Sequence, residues 1–128
     1  MTKKEEALFL HLKENFYPDL EFAPETYSKH DCIDGEVLIE LKCRNKHYPT
    51  MLIEKKKYDY LTETANELGL LPLYVNSTPE GIYKWDLSSV DIEWKVENKH
   101  PATTTFHNNR RVEKEVGYLD VEEAEVLE

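Results

Sequence analysis

The sequence predicts one mixed α/β domain in which helices flank a central sheet, in the order helix, two or three strands, helix, strands. Three observations carry that expectation. Thr2-Lys3-Lys4-Glu5 has the form of a capping box, and Leu8, Phe9, Leu12 and Phe16 follow at helical spacing. Asp34-Gly35, a pair suited to a two-residue type I′ turn, sits between two segments rich in strand-forming residues. A second helical segment ends at Gly69, a residue suited to the left-handed position that closes a helix, and strand-like segments follow.

Taken in order, the first helix is expected over residues 3–16, stopped by Pro18. Residues 20–22 form a short strand before Pro24. Segments 27–33 and 36–43 form the hairpin around Asp34-Gly35. The second helix is expected over 51–68. Residues 71–76 and 81–87 read as strands joined by Ser77-Thr78-Pro79-Glu80, and residues 90–96 alternate as another strand. Residues 100–110 read as irregular, and 119–127 as a short terminal helix. The chain has no internal repeat or low-complexity linker, so 1–128 is expected as a single domain. Its core would span 3–87, with an acidic C-terminal tail over 112–128 that frays.

Composition bounds the function classes. With 128 residues, 40% hydrophobic and 33% charged, the chain suits one globular domain with a modest core. No apolar run approaches the roughly 20 residues that span a bilayer, so no membrane partner is expected. The N-terminus lacks the apolar stretch and small-residue cleavage site of a signal peptide. Cys32 and Cys43 are expected far apart along the hairpin and reduced, which fits a cytoplasmic protein.

The formal charge of −10 argues against a protein that coats nucleic acid, because phosphate contacts need Lys and Arg. That charge is unevenly spread. Residues 112–128 carry seven acidic residues and one basic, whereas residues 27–57 carry seven basic and five acidic. A protein that touches few phosphates through the second segment is compatible with this balance.

The hairpin carries the chemistry. With Asp34-Gly35 as the loop, Ile33 faces Glu36, Cys32 faces Val37 and Asp31 faces Leu38. Cross-strand partners share a face and alternate residues change face. One face then holds Cys32, Val37, Ile39, Leu41 and Cys43, which reads as core; the other holds Asp31, Leu38, Glu40 and Lys42. Asp31 and Glu40 become diagonal neighbours, roughly 7–8 Å apart at the backbone. Two carboxylates so placed can hold a hard divalent cation, and a lysine beside them can position or activate an attacking water. A slip of one residue would destroy both the core face and the carboxylate pair.

This arrangement resembles the PD-(D/E)XK, or restriction-endonuclease-like, nuclease superfamily. Its shared core of helix, three-stranded meander, helix and strand is similar in order and length to residues 3–76. The resemblance implies an α/β fold with a central mixed sheet flanked by helices in α-β-β-β-α-β order. It further implies Mg²⁺- or Mn²⁺-dependent hydrolysis of phosphodiester bonds in DNA, with Asp31 and Glu40 as metal ligands and Lys42 as the motif lysine. The proline of the motif is absent, since Asp31 follows Lys29-His30. Members often add an acidic residue from the first helix; Glu5 fits, because Leu8 and Leu12 at i+3 and i+7 put it on the inward stripe. Lys57, which shares a helical side with Ile53, Leu61 and Leu68, is the expected basic residue near the scissile phosphate. Arg44 and Lys46 beside the site, with Arg110 in a later basic cluster, are the other candidate nucleic-acid contacts. The single-domain format is similar to that of small nucleases encoded by bacteriophages. It implies recognition of DNA shape, as in junction-resolving or branch-specific members, through a homodimer. Residues 77–128 have no assigned counterpart.

Other readings compete at each point. Glu-x-Lys occurs four times, at Glu40-Leu41-Lys42, Glu54-Lys55-Lys56, Glu93-Trp94-Lys95 and Glu97-Asn98-Lys99. A solvated strand face accounts for Asp91, Glu93 and Lys95, and a polar outer face is the rival account of Asp31, Glu40 and Lys42. Asp34 is an alternative ligand to Asp31, although the first residue of an Asp-Gly turn already has a structural role. Glu5 suits the capping box as well as a ligand role. No paired His or Cys spacing indicates a zinc site, and no Gly-rich phosphate loop or Ser or Cys nucleophile motif is present. Two further classes stay open: a catalytically inactive member of the same fold that binds nucleic acid or protein, and an acidic DNA-mimic interaction protein.

Overall fold

A computed structural model describes residues 2–23, 31–101 and 111–128. The expected strand start at 27–30, most of the stretch expected to be irregular, and Arg110 lie outside these residues. Helix α1 (Lys3–Asn15) forms where the capping box places it. The Thr2 side-chain oxygen accepts from the Glu5 amide at 3.1 Å, and its hydroxyl donates to Glu5 Oε1 at 2.9 Å. Leu8, Phe9 and Leu12 make its buried stripe.

That stripe packs on one face of a six-stranded mixed sheet of order β1-β2-β3-β5-β6-β9. Its strands are β1 (Glu21–Phe22), β2 (Asp31–Ile33), β3 (Val37–Cys43), β5 (Leu71–Thr78), β6 (Gly81–Asp86) and β9 (Glu125–Leu127). Among the described residues only β3 and β5 pair in parallel, with Glu40 opposite Tyr74 and Lys42 opposite Asn76. Against α1 lie Cys32, Val37, Ile39, Leu41, Leu73, Val75 and Leu127, the apolar face expected of the hairpin. Each such aliphatic side chain, fully buried, contributes about 1.5–3 kcal/mol.

The opposite face is also a core. Helix α2 (Lys55–Leu68) covers it with Leu61, Thr64 and Ala65, and Gly69 closes the helix at φ 70°. Beside α2 lies a second, three-stranded sheet of order β4-β8-β7, made of β4 (Thr50–Glu54), β8 (Arg111–Asp120) and β7 (Lys95–Pro101). Leu38, Met51, Ile53, Tyr74, Trp85 and Leu119 fill the space between the sheets. Asp31, Glu40 and Lys42 therefore share their face with a second apolar cluster and not with open solvent alone.

Several expected boundaries move. Residues 51–54 are strand, because Met51 and Ile53 alternate into the core while pairing with Leu119 and Gly117 of β8. Residues 90–94 make no ladder although Val90, Ile92 and Trp94 pack on the second core; ladder pairing begins at Lys95. They cross over Gly117, where a Cβ would lie 2.2 Å from Ile92 Cγ2, so only glycine admits the crossing. The expected terminal helix is instead the end of β8, a short 3₁₀ turn (Val121–Glu123) capped by Asp120, and β9. Residues 112–128, expected as a fraying tail, thus contribute strands to both sheets. Both cysteines are free. No described helix is long and apolar enough to cross a membrane.

Candidate active site

The hairpin keeps the expected faces but shifts its register by two residues. Ile33 pairs with Leu38, Cys32 with Ile39 and Asp31 with Glu40. The connection between β2 and β3 is therefore Asp34–Glu36, with the Asp34 amide donating to the Val37 carbonyl at 3.1 Å, and not Asp34-Gly35 alone. Asp34 explains the longer turn: its Oδ1 accepts from the amides of Glu36 at 2.7 Å and Val37 at 2.8 Å. Because a two-residue shift preserves side-chain parity, it moves Asp31 from a diagonal position to one directly opposite Glu40.

Asp31 is 0% exposed and Glu40 5% exposed. A carboxyl group held away from water opposite a second carboxylate is harder to ionise, and Glu40 is in that position. Burial pushes the Glu40 carboxyl up to about 9, and the facing Asp31 carboxylate pushes the same way. Lys57 opposes that rise: its Nζ stands 3.4 Å from Glu40 Oε1. The nearby Cys32 thiol is pushed up to about 12, first by its burial and then by Asp31, Glu40 and Glu5. Electrostatically the pair asks for a cation.

Helix α2 supplies the other wall. Lys57 lies over the Tyr60 ring at 5.7 Å as well as beside Glu40. The Tyr60 phenol is pushed up to about 12 by its burial and by the adjacent Asp31 carboxylate. Lys57 was identifiable from the sequence, because it shares a helical side with Leu61. Tyr60 reads from the sequence only as a core or rim tyrosine, although its i+3 spacing from Lys57 puts both on one side of the helix.

The remaining candidates are placed as follows. Lys42 is exposed and shares the face of Glu40 by strand alternation. Lys46 is exposed in the connection from β3 to β4. Arg44 is directed inward, its guanidinium bonded to Asn76, Tyr74 and the Leu52 carbonyl. Glu5 is half-buried on α1, which covers the sheet face away from the carboxylate pair, and its Oε1 is engaged by Thr2. Arg110 lies outside the described residues.

A divalent cation fits the donor set. Both carboxylate oxygens of Asp31, together with Glu40 Oε2 and the Tyr60 hydroxyl, are buried without a hydrogen-bond partner among the described residues. Such orphaned oxygens are costly unless something charged or protic satisfies them. Among the described residues no three His, Cys, Asp or Glu groups gather as a ready-made cage. One or two carboxylates completed by waters and substrate phosphate is the ligand set that Mg²⁺ takes, so the two fit.

No family model and no curated protein matches the chain. Among solved structures it is similar to Hjc, a Holliday junction resolvase from the archaeal hyperthermophile Archaeoglobus fulgidus. The TM-score is 0.56 at 12% identity, over 96% of this chain and 88% of that one. That likeness runs well beyond residues 3–76, the part in which the sequence pattern is legible. With its central mixed sheet between α1 on one face and α2 on the other, the chain has the restriction-endonuclease-like fold.

Proposed function

We propose that the protein is a divalent-metal-dependent nuclease that hydrolyses phosphodiester bonds in DNA, with branched or junction DNA as its substrate. The observation that carries this reading is the buried pair Asp31 and Glu40, directly opposed on β2 and β3, with orphaned oxygens and a lysine on one of them. Asp31 and Glu40 would hold Mg²⁺ or Mn²⁺, with Glu5 as a further acidic candidate. The bound cation would polarise the scissile phosphate and lower the pKa of a coordinated water. Lys42 orients the attacking water from the solvent side of the same face and offsets charge that develops on the phosphate. Lys57, whose Nζ stands 3.4 Å from Glu40 Oε1, would be the basic residue of α2 available to the scissile phosphate. Lys46 and Arg110 contact the DNA backbone, and a homodimer presents two such sites to a branched substrate. The similarity to a junction resolvase supports the substrate class.

The near-complete burial of both carboxylates favours a second reading: a catalytically inactive module of the same fold that binds nucleic acid or protein. Incubation of supercoiled plasmid, linear duplex, a four-way junction and RNA with the protein in Mg²⁺ or Mn²⁺ separates the two. The nuclease reading expects cleavage of the junction by wild type and none by Glu40→Ala or Lys42→Ala. Binding of the junction without cleavage in either metal supports the inactive module.

A further inference from the structure

We infer that Arg44 is a positioning residue that clamps the two halves of the candidate site together, and is not a contact to nucleic acid. Those halves belong to different sheets. Glu40 and Lys42 lie on β3 of the six-stranded sheet, whereas Lys57 lies on α2, which continues directly from β4 of the three-stranded sheet. No backbone ladder joins β4 to β3. The C-terminal end of α2 runs on into β5, which is laddered to β3, but at the β4 end, where Lys57 lies, the tie to β3 comes from side chains.

Arg44 supplies that link. It follows β3 at the next same-face position after Glu40 and Lys42. Its Nε donates to Asn76 Oδ1 at 2.8 Å, and its Nη2 donates to the Leu52 carbonyl at 2.7 Å and to the Tyr74 hydroxyl at 3.2 Å. The Tyr74 hydroxyl itself donates to the same carbonyl at 3.2 Å. Tyr74 and Asn76 sit on β5 in register with Glu40 and Lys42. Leu52 sits on β4, a few residues before α2 begins at Lys55 and then presents Lys57. One guanidinium thus grips the strand beside the carboxylate and the strand that delivers the lysine.

The network is built and not incidental. Asn76 is 0% and Tyr74 4% exposed, so their polar atoms have little water to turn to. A second polar tie between the sheets among the described residues, Trp85 Nε1 to the Asp120 carbonyl at 2.9 Å, holds the β8 residue paired with Thr50, at the end of β4 away from α2. The planar fork of arginine matches acceptors on two strands at once, whereas lysine offers a single point of attachment. A lost clamp lets α2 drift relative to β3, and a shift on the order of 1 Å at a reacting group can cost about 10²-fold in rate.

Only the catalytic readout of this inference rests on the nuclease reading. The test compares Arg44→Met, Arg44→Lys and Tyr74→Phe with wild type, full-length, after circular dichroism confirms folding. Side-chain ¹⁵N NMR of Lys57 without DNA is the first readout. The clamp predicts that the Lys57 ammonium signal moves to the position of an exposed lysine in both Arg44 variants, and part of the way in Tyr74→Phe. Single-turnover cleavage at saturating metal and DNA is the second readout. It should fall about 10²-fold in both Arg44 variants, without rescue by lysine and with the salt dependence of DNA binding unchanged. An unmoved Lys57 signal overturns the clamp. So does a salt slope reduced by about one phosphate contact with the saturated rate intact, the signature of a direct DNA contact. Should the Arg44 variants not fold, the Tyr74→Phe signal decides alone. Absence of cleavage by wild type contradicts the nuclease reading and leaves the NMR readout to decide the clamp.

Discussion

Asp31 and Glu40 stand directly across from each other on β2 and β3, both sealed from water, with Lys57 of α2 against the Glu40 carboxylate at 3.4 Å. Burial and the facing Asp31 carboxylate favour a proton on Glu40, while the lysine draws the other way. A cation entering the site would replace that proton. The consequences are measurable.

The first concerns pH. Glu40 titrates near 4.5 when unfolded and near 9 when folded. Between those values the folded state keeps a proton that the unfolded state has released, so this group stabilises the fold most below pH 4.5. Its contribution declines as pH rises and is lost by about pH 9. Glu40→Gln removes the titration. In metal-free buffer the melting temperature of Glu40→Gln should gain on that of wild type steadily from pH 5 to pH 9. A gap that stays constant over this range contradicts the raised Glu40.

Asp34 and Asp31 are three residues apart and should separate cleanly. Asp34→Ala forfeits two hydrogen bonds to the turn and should cost about 1–2 kcal/mol, read as a lower urea midpoint, with metal binding retained. Asp31→Ala should do the reverse, abolishing metal binding while relieving an unsatisfied buried carboxylate. Equal effects of the two substitutions in both assays would refute the assignment.

Gly117 should tolerate no side chain. A Cβ there meets Ile92 Cγ2 at 2.2 Å and Trp94 ring atoms at 3.2 Å. Gly117→Ala should therefore destabilise by about 1–3 kcal/mol, the usual cost of overpacking. Ile92→Ala should recover part of that loss, so the double mutant is less destabilised than the sum of the singles. Strict additivity would show that the segment 90–94 does not cross β8 at this point.

The thiols report on the hairpin faces. Burial first, and then the acidic groups of Asp31, Glu40 and Glu5, disfavour the Cys32 thiolate, whereas Cys43 is partly exposed. Iodoacetamide at pH 8 should label Cys43 and spare Cys32 in the native protein, and label both after unfolding. Native labelling of Cys32 would mean that its strand does not face α1.

The contrast between what the sequence revealed and what it concealed follows from the range of the forces involved. Local signals survived: the capping box of Thr2 and Glu5, the Gly69 closure and the alternation from Val37 to Cys43 all act within one turn or one strand. Parity across the hairpin also survived, because a two-residue shift leaves every side chain on its face. The register itself did not, since Asp34 binds amides two and three residues on and so lengthens the loop. Residues 51–54 read as helix because a short apolar segment has no period of its own; its partner, β8, lies more than fifty residues away. The inward turn of Arg44 was equally hidden, as its acceptors come from β4 and β5. An asparagine closing the apolar run from Leu71 to Val75 was the available hint that something polar is buried there.

The central claim is that the opposed carboxylates form a divalent-metal site. Titration calorimetry with Mn²⁺ on the wild-type protein, Asp31→Ala and Glu40→Ala at pH 8 tests it without reference to substrate. The account predicts one site per chain in wild type, with proton release on binding, and its loss in both variants. Wild-type protein that takes up no Mn²⁺, or variants that bind it undiminished, would contradict the account at its foundation.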